Sequence, residues 1–443
     1  MSREIESFIV LNRFGYGPDS LGLSAFKASS MKFLVSQLEH PEIPKHLADK
    51  TGIELSHRFL TAVRANKAKD VQKIVRKDMI KDYTSFVSDI VLQRMQTKQP
   101  FVERLVAFWS NHFTVSIDKP AILGLLRDYE YVAIRPHITG KFEDLLIAVV
   151  KHPAMLAYLD NWQSFGPNTW FAKFSRKGLN ENLAREIMEL HTLGVDGGYT
   201  QQDVIELAKM LTGWSIEMRN RKEPYPKFQF HDKGHEPGPK TLLGGTYKED
   251  GMNEAIAALK MLATHPKTAR RLATKMAVHF ISDQPPERLV RKMESAYLRS
   301  GGNLGAMTRA MLDAPESWAE PLSKVKTTPD YIVSTFRAIN FTPKEIHTIT
   351  SLDSLDYKPY KASSPQGFSD ENEYWAAPGA LIKRTEWAQE VAMRIMQKVD
   401  PFALGKGLFG PVMSAETAFA LKGAESQKQG LTLLLMSPEF QRR

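Results

Sequence analysis

The chain contains no cysteine. Disulfide bonds, thiolate metal sites and cysteine nucleophiles are therefore excluded together, and a metal ion would need His, Asp or Glu ligands. The sequence also has no apolar run of about 18 residues, the length expected of a membrane-spanning helix. Its opening, MSREIESFIVLNRFGYG, lacks a long apolar core behind a basic start. It does not resemble a secretory signal, and a cytoplasmic location is expected.

Charge of neither sign dominates the sequence. Lys plus Arg number 59 and Asp plus Glu number 50, a surplus of +9 that favours anionic partners in general. The densest basic run, ANKAKDVQKIVRKDMIK at residues 65 to 81, is interleaved with apolar residues at helical spacing. That pattern is more typical of a solvated helix face than of a nucleic-acid patch, so no nucleic-acid partner is expected.

Hydrophobic spacing of 3.6 residues recurs along most of the chain and predicts helices. The periodicity fails in two irregular stretches, residues 219–250 and 351–375, where Pro, Gly and polar residues are frequent. The predicted fold class is all-α: a multi-helix globular body with long irregular loops and at most a small β-hairpin. We expect an N-terminal helical part (1–100), a core helical region (101–320) and a C-terminal helical part (321–443), packed as one globular unit.

The stretch NENLAREIMELHTLGVDGGYTQQDVIELAKMLTGW, from Asn180 to Trp214, predicts two helices joined across a glycine turn. Asn180 can cap the first helix, and Gly194 supplies a left-handed stop after residue 193. Thr200 can cap the second helix, with Asp203 in the position of a capping-box acid. This hairpin carries the densest group of charged side chains and is the predicted site.

The polar face of the first helix has two interpretations. Arg185 can form ordinary i,i+4 pairs on a solvated face. Alternatively, Asn182, Glu186 and Glu189 line a cleft at positions i, i+4 and i+7, with Arg185 holding the carboxylates ionised. In that case Glu186 and Glu189 could act as acid and base or ligate a divalent cation, Arg185 could bind an anionic substrate, and Asn182 could contact it.

Two histidines lie on apolar helix faces near this site. His191 falls within the apolar arc of the acidic helix, and His112 lies among the aromatic residues of a predicted helix over residues 101–113, whose polar edge carries Arg104 and Asn111. Each is more typical of a core histidine than of a ligand. Two such histidines beside one acidic helix nevertheless favour a shared interior site, with His112 catalytic and His191 completing a metal set with the carboxylates. Haem clasped by either histidine is a further alternative.

The irregular stretch 219–250 predicts a long loop with a small hairpin. Its apolar residues would anchor it to the body, which leaves HDKGHEPGPK as the exposed middle. We expect this loop to fold over the mouth of the site and to bring His231, His235, Glu236 or Lys240 near it, where these groups could meet an anionic substrate or complete a metal shell begun by the carboxylates. The alternative is a covering flap whose charges face water.

Several segments resemble, in order, the bacterial family catalogued as domain of unknown function 1800. They are LNRFGYGP at 11–18, FWSNHFTV at 108–115, HPAMLAYLDNWQS at 152–164, the stretch GLNENLAREIMELHTLGVDGGYTQQDVIELAKMLTGW, HEPGPKTLLG at 235–244 and the C-terminal SPEFQRR. The resemblance covers essentially the whole chain. It implies no particular activity. It does imply that relatives are often exported and often encoded beside a phosphatase-like or sulfatase-like protein.

Two functions follow from these patterns. The first is a carboxylate- or metal-dependent hydrolase that acts on an anionic or carbohydrate substrate. The second is a non-catalytic binding or assembly protein that presents its loops to a carbohydrate, a peptide or a protein. The aromatic residues available for the second function are Tyr225, Phe228, Phe230, Phe368, Tyr374 and Trp375.

Overall fold

The computed structural model describes residues 2–44, 47, 52–64, 69–175, 177–217, 226–395 and 399–443. Most of them are helical. The helices before the first strand are α1 (Arg3–Arg13), α2 (Ser30–Glu39), α3 (Ile53–Arg64), α4 (Lys69–Gln96), α5 (Pro100–His112), α6 (Leu126–Asp128), α7 (Phe142–Lys151), α8 (Pro153–Tyr158), α9 (Trp170–Ser175), α10 (Asn182–Glu186) and α11 (Gln201–Met210). Two π-helical turns, Tyr129–Ile134 and Ile187–His191, continue α6 and α10.

The second half of the chain is also mainly helical. Its helices are α12 (Met252–Thr264), α13 (Pro266–Phe280), α14 (Glu287–Arg299), α15 (Leu304–Leu312), α16 (Thr328–Ala338), α17 (Glu345–Ser354), α18 (Asn372–Trp375), α19 (Pro378–Arg394), α20 (Pro401–Phe409), α21 (Ala415–Lys422), α22 (Gln427–Met436) and α23 (Pro438–Gln441). Short 3₁₀ turns span Leu23–Ala25, Pro120–Leu125, Arg135–His137, Asn161–Gln163, Asp232–Gly234, Pro315–Trp318 and Gly410–Val412. Within the described ranges, no helix is both long and apolar enough to cross a membrane.

Strands occur between α11 and α12. β1 (Trp214–Glu217) pairs antiparallel with β2 (Lys227–Phe230), and β3 (Lys240–Leu242) pairs antiparallel with β4 (Gly245–Tyr247). In the described part of the chain the strands thus form two small two-stranded sheets. The predicted helical fold class, with its strand content confined to a small ribbon region, is confirmed.

Local sequence signals explain several helix starts. His152 precedes Pro153, and its Nδ1 accepts a hydrogen bond from the backbone N–H of Ala154 at 3.1 Å. His265 precedes Pro266 and caps α13 in the same way, with Nδ1 accepting from Lys267 at 3.2 Å. Proline at the first helical position costs no hydrogen bond, because the N–H it lacks would have no partner within the helix. The start of α13 determines which of its residues face a cleft.

Helices α1 and α4 each contribute side chains to two separate apolar cores. From α1, Ile9 belongs to the main core and Phe8 to the second, which is built largely from residues after 330. From α4, Phe86 belongs to the main core and Val87 to the second. Adjacent residues of one helix point in directions about 100° apart, so α1 and α4 each pack on both cores. The expected boundaries at residues 100 and 320 stay a prediction.

Candidate functional site

The predicted helical hairpin is present. Asn180 Oδ1 accepts a hydrogen bond from the backbone N–H of Asn182 at 2.9 Å at the start of α10, whose N-cap residue is Glu181, one residue after the predicted cap. The helix continues through its π turn to His191, and Gly194 follows with a left-handed φ of +91°. α11 begins at the predicted capping box of Thr200 and Asp203. Both helix starts and the glycine stop therefore lie within one residue of where the sequence predicts them.

The polar face of α10 lies at the surface and is bonded to α11. Arg185 Nη2 donates to Glu181 and to Gln201, each at 2.9 Å, and Nη1 lies 3.5 Å from Glu189. The side chains of Arg185 and Glu189 are 36% and 28% exposed. This face is partly exposed, and its i,i+4 pairs are supplemented by two hydrogen bonds with Gln201 of the neighbouring helix, one from Arg185 and one to Glu181.

The histidines predicted to join this face are in the core instead. His112 Nε2 donates to the backbone carbonyl of His191 at 3.2 Å, and their rings are 5.9 Å apart. Phe113 lies 4.9 Å from the His191 ring. Burial lowers the pKa of His191 to about 3, and the nearby Lys275 and Arg271 act in the same direction. Burial also lowers the pKa of His112 well below its usual value, so both rings are neutral at neutral pH.

The other residues of α10 and its π turn that were predicted for the site do not lie together: some are at the surface and one is in the core. Glu186 is half-buried, and burial together with the charge of Glu189 raises its pKa, while Asn182 is exposed. His191 is buried. Over the described residues, no group of three or more His, Asp or Glu side chains could hold a metal ion, and the predicted set of Glu186, Glu189 and His191 forms no such group.

His235 and Lys240 take part in a buried ionic cluster. His235 Nε2 lies 2.9 Å from Glu254 Oε1, and Lys240 Nζ lies 2.9 Å from Glu254 Oε2. The other ring nitrogen of His235, Nδ1, donates to the backbone carbonyl of Thr212 at 2.9 Å. All three side chains of the cluster are almost fully buried. The protein itself therefore satisfies both nitrogens of this imidazole.

Glu236 is also used within the fold. Its carboxylate accepts hydrogen bonds from the backbone N–H of Asn168 at 3.0 Å and from the Asn168 side chain, and its own N–H donates to Thr212 at 2.8 Å. The backbone N–H of Leu243 donates to Asp203 of α11 at 2.7 Å. The hydrogen bonds of this segment thus attach it to α11, α12 and residue 168, and its predicted position over the acidic helix is not supported by these contacts. Residues 218–225, including Tyr225, lie outside the described residues.

A second group of polar side chains, which the sequence did not predict as a site, surrounds a cavity beside the irregular stretch 355–371. Two neighbours hold this stretch by its backbone. The Asn111 side chain donates to the carbonyl of Phe368 and accepts from its N–H, each at 2.8 Å. Lys324 Nζ donates to the backbone carbonyl of Asp370 at 2.7 Å. Asp370 is therefore fixed in place although it belongs to no helix or strand.

Asp370 faces a histidine of α13. His279 Nδ1 lies 2.6 Å from Asp370 Oδ1, and on the opposite side of the ring Nε2 lies 3.4 Å from Arg104 Nη2. Arg104 Nη1 in turn pairs with Asp330 of α16 at 2.9 Å. The four side chains form a chain, with a carboxylate at each end and two basic groups between them, that links α5, α13, α16 and the irregular stretch 355–371.

The environment of this pair determines its protonation. Burial lowers the pKa of His279 below its usual value, and the carboxylate of Asp370 opposes that effect. Burial acts to raise the pKa of Asp370, but the interaction with His279, including its hydrogen bond, and the charges of Lys275 and Lys324 outweigh it and the pKa is lowered. At neutral pH the ring is neutral and the carboxylate ionised. Nδ1 therefore donates its proton to Asp370, and Nε2 carries the lone pair.

Arg94 supplies a cation to the same cavity. Glu130, another lining residue, is already bonded to the Tyr360 hydroxyl at 2.7 Å and lies 3.6 Å from Arg135. Arg94 lines the cavity and lies over the Tyr16 ring at 5.9 Å, and it forms no hydrogen bond or ion pair to any residue that the structure describes. Burial disfavours its charge, but Tyr16, Glu130 and Glu103 outweigh that effect and raise the pKa of Arg94, so the guanidinium is charged and keeps hydrogen-bonding capacity for an anionic ligand.

The cavity adjoins a wider cleft. The cavity measures about 110 Å³, and the cleft, between α13 and the irregular stretch, measures about 870 Å³. Phe368, Ser369 and Asp370 line both. The glycine turn after α10 lines the cleft from its other side, through residues 193–196. The predicted hairpin therefore borders the site with its turn and not with its acidic face.

One face of α13 runs along the cleft and ends at the cavity. Lys267, Arg271 and Lys275 line the cleft, and His279 lines the cavity. They follow one another at intervals of four residues, which places them along one side of a helix. This basic spacing was visible in THPKTARRLATKMAVHF and is the signal that could have identified the site from the sequence.

Segments that carry the family resemblance meet at the cavity. From FWSNHFTV, residues Ser110, Asn111 and Thr114 line it. From SPEFQRR, Arg443 Nη1 lies 3.6 Å from Asp330. From LNRFGYGP, the Tyr16 ring lies 5.6 Å from the Arg104 guanidinium.

Comparison with curated proteins and with solved structures finds no match for this chain. A family model described as "Protein of unknown function (DUF1800)" matches residues 9–442, which is nearly the full length. The chain therefore belongs to the DUF1800 family.

Proposed function

We propose that the protein is a hydrolase that cleaves an ester bond in an anionic substrate, with His279 as the general base. The observation that carries this proposal is the position of His279, which lines a cavity that adjoins a basic cleft: one ring nitrogen is held by Asp370, and the other has only a long contact with Arg104. A neutral imidazole oriented by a carboxylate is the arrangement by which histidine removes a proton from a nucleophile.

The hydrolytic step uses only groups that line the cavity and one water molecule. His279 Nε2 takes a proton from water as the water oxygen bonds to the ester carbonyl carbon. The carbonyl oxygen becomes an oxyanion, for which Arg94 provides a cation. The C–O bond to the leaving alcohol then breaks, the imidazolium returns its proton to the alkoxide, and a carboxylic acid and an alcohol are released. Asp370 stabilises the imidazolium from the time His279 takes the proton until it returns it.

Arg104 tunes this step. Its Nη2 lies 3.4 Å from His279 Nε2, at the long end of a hydrogen bond, and its main partner is Asp330 at 2.9 Å. The ion pair with Asp330 holds the guanidinium back, so a water molecule can take its place at Nε2. The positive charge also opposes protonation of His279, which keeps the ring in its basic form.

A pair of chromogenic esters tests the proposal. The purified protein is assayed with p-nitrophenyl hemisuccinate, which is anionic, and p-nitrophenyl acetate, which is neutral, and with p-nitrophenyl phosphate as a different reaction class. We expect turnover of the anionic ester in preference to the neutral one, and its loss in His279→Gln. Turnover that is unchanged in His279→Gln, or absent with both esters, would contradict the proposal.

Binding without catalysis is the second candidate, and one observation favours it. Tyr374 is 51% exposed and lines the cleft, while the aromatic rings of Phe368 and Trp375 pack together behind it. An exposed aromatic ring beside a cleft is a common contact for a carbohydrate or peptide. Ligand binding that persists in His279→Gln, with no turnover by the unaltered protein, would favour this function over the hydrolase.

A further inference from the structure

The cations along α13 lack carboxylate partners. Lys267 Nζ donates to the backbone carbonyl of Asp196 at 3.1 Å, and Arg271 Nε donates to the backbone carbonyl of Leu190 at 3.2 Å. Lys275, which also lines the cleft, forms no hydrogen bond or ion pair with the residues that the structure describes. Arg270, which is next to this row in sequence, is instead paired with Glu287 and with Glu294. We name Lys267, Arg271 and Lys275 the cationic row.

The cationic row opposes the stability of the free protein. Like charges at i,i+4 on a helix repel one another. Burial and the charge of Arg271 both lower the pKa of Lys275, and Asp370 only partly offsets them. Acidic residues of the cleft do not neutralise the row, because Asp196 and Glu371 are exposed and Asp370 is bonded to His279. Three uncompensated cations along one wall are the arrangement expected of a site for several anionic groups.

The geometry of the row selects an extended ligand. Four residues of helix rise about 6 Å, so successive cations are spaced at about the length of one sugar unit, and the row extends over about 12 Å. The next position along it is His279 at the cavity. A linear ligand that follows the row therefore presents a unit to the cavity.

The wall formed by residues 363–374 is mainly hydrogen-bonding, and it also carries two carboxylates, Asp370, which is bonded to His279, and the exposed Glu371. It carries the hydroxyls of Ser363, Ser364 and Ser369, the amide of Gln366 and the exposed ring of Tyr374. Hydroxyls and amides both donate and accept, which suits sugar hydroxyls, and an exposed aromatic ring packs against the apolar face of a pyranose. An acidic peptide would offer few groups to this wall.

We infer that the cleft binds a linear acidic polysaccharide, with one acidic group on each of several consecutive sugars contacting Lys267, Arg271 and Lys275. This inference rests on the proposed function for the reaction at His279, because it names the substrate that the row delivers there. Binding of the polysaccharide to the cationic row does not depend on that reaction.

Calorimetric titration with defined oligosaccharides tests it. The probes are hexagalacturonate and a heparin hexasaccharide, the monomer galacturonate, the neutral maltohexaose and an acidic control, hexaglutamate. We expect an acidic hexasaccharide to bind at least tenfold more tightly than galacturonate and than hexaglutamate, with binding weakened by salt. Equal affinity for hexaglutamate would overturn the ligand class, and failure of both acidic hexasaccharides to bind would overturn the inference as a whole.

Matched variants locate the binding. Lys275→Gln and Arg271→Gln should each weaken binding of the preferred hexasaccharide about tenfold, and Arg271→Lys should restore part of it. Lys260→Gln removes the same charge from an exposed position on α12 and should leave binding unchanged. Lys275→Gln should also raise Tm, because it relieves repulsion within the row. A loss of affinity as large in Lys260→Gln would contradict a specific row.

The two proposals fail separately. Row-dependent binding of the hexasaccharide without turnover of any ester by the unaltered protein would overturn the hydrolase and leave this inference standing. Turnover of p-nitrophenyl hemisuccinate without row-dependent binding of a hexasaccharide would overturn this inference and leave the hydrolase standing.

Discussion

Two buried histidines of this protein each face a carboxylate at hydrogen-bonding distance, His235 with Glu254 at 2.9 Å and His279 with Asp370 at 2.6 Å. Both pairs lie beside further charged groups. They differ at the second ring nitrogen. That of His235 donates to the carbonyl of Thr212 at 2.9 Å, whereas that of His279, a residue that lines a cavity, has only a 3.4 Å contact with Arg104.

The difference separates a structural ion pair from the one that we propose to be reactive. Burying charges is costly, so a cluster whose every polar atom bonds within the fold serves to join the elements that supply it. Lys240 and His235 join the strand region to α12 through Glu254 in this way. At His279 the second nitrogen has only the long contact with Arg104, and a weakly bonded imidazole beside a cavity is expected at functional sites.

The largest effect is expected from Asp370→Asn. An asparagine can donate to His279 Nδ1, which would shift the ring to the other neutral tautomer and remove the lone pair from Nε2. We predict a loss of about 100- to 10,000-fold in kcat for the best chromogenic ester. Glu373→Gln also replaces a carboxylate by an amide, at an exposed position of α18 that does not line the cleft, and should stay within about twofold. Similar rates in the two variants would place Asp370 outside the reaction.

Glu254→Gln should affect stability instead of turnover. The substitution leaves His235 and Lys240 without their shared buried carboxylate, which typically costs about 3–5 kcal/mol of unfolding free energy. Urea unfolding measures the loss, and kcat of the folded protein should be retained. Glu249→Gln, at an exposed position of the same region, should cost less than about 1 kcal/mol. A selective fall in kcat would show that the His235 cluster participates in the reaction.

Acid should destabilise the protein through its core histidines. The pKa of His191 is about 3 in the folded chain against 6.5 when unperturbed. Between these values the unfolded chain binds a proton that the folded chain does not, so stability falls as pH falls, by up to about 1.4 kcal/mol per pH unit. From pH 6.5 to 5 the loss amounts to about 2 kcal/mol. Urea unfolding across this range should give a shallower pH dependence for His191→Gln; equal slopes would disagree with a buried neutral ring.

The smallest effect is expected at the acidic helix. Arg185 is 36% exposed and its pairs with Glu181 and Glu189 are of the i,i+4 type. Arg185→Gln should cost less than about 1 kcal/mol and leave kcat within about twofold. Thermal unfolding and the ester assay measure the two quantities. A large loss of kcat with unchanged Tm would return the site to α10 and reverse the comparison.

Local signals in the sequence predict the helices well because they act within a few residues. The Thr200 capping box, the Gly194 stop and the His-Pro starts all involve neighbours in the chain, and the structure has them as expected. The edge of α5 that carries Arg104 and Asn111 was also visible, and both residues line the cavity.

The site itself depends on contacts that no local pattern encodes. Asp370 and His279 are 91 residues apart, and Asp370 lies in a stretch without periodicity, held by Asn111 and Lys324. Charged side chains are densest on α10, and the sequence therefore predicts the site there. The site proposed from the structure is marked in the sequence by the four-residue spacing of the basic residues on α13. His112 and His191 do come together, but in the core and behind the cleft.

The protonation state and tautomer of His279 are measured directly by NMR of ¹⁵N-histidine-labelled protein. Spectra of His279→Gln and His235→Gln assign the signals. At pH 7 we predict a neutral His279 ring protonated at Nδ1, whose Nε2 resonance moves when the acidic hexasaccharide is added while those of His235 do not. A charged His279, or one protonated at Nε2 and indifferent to the ligand, would contradict the account.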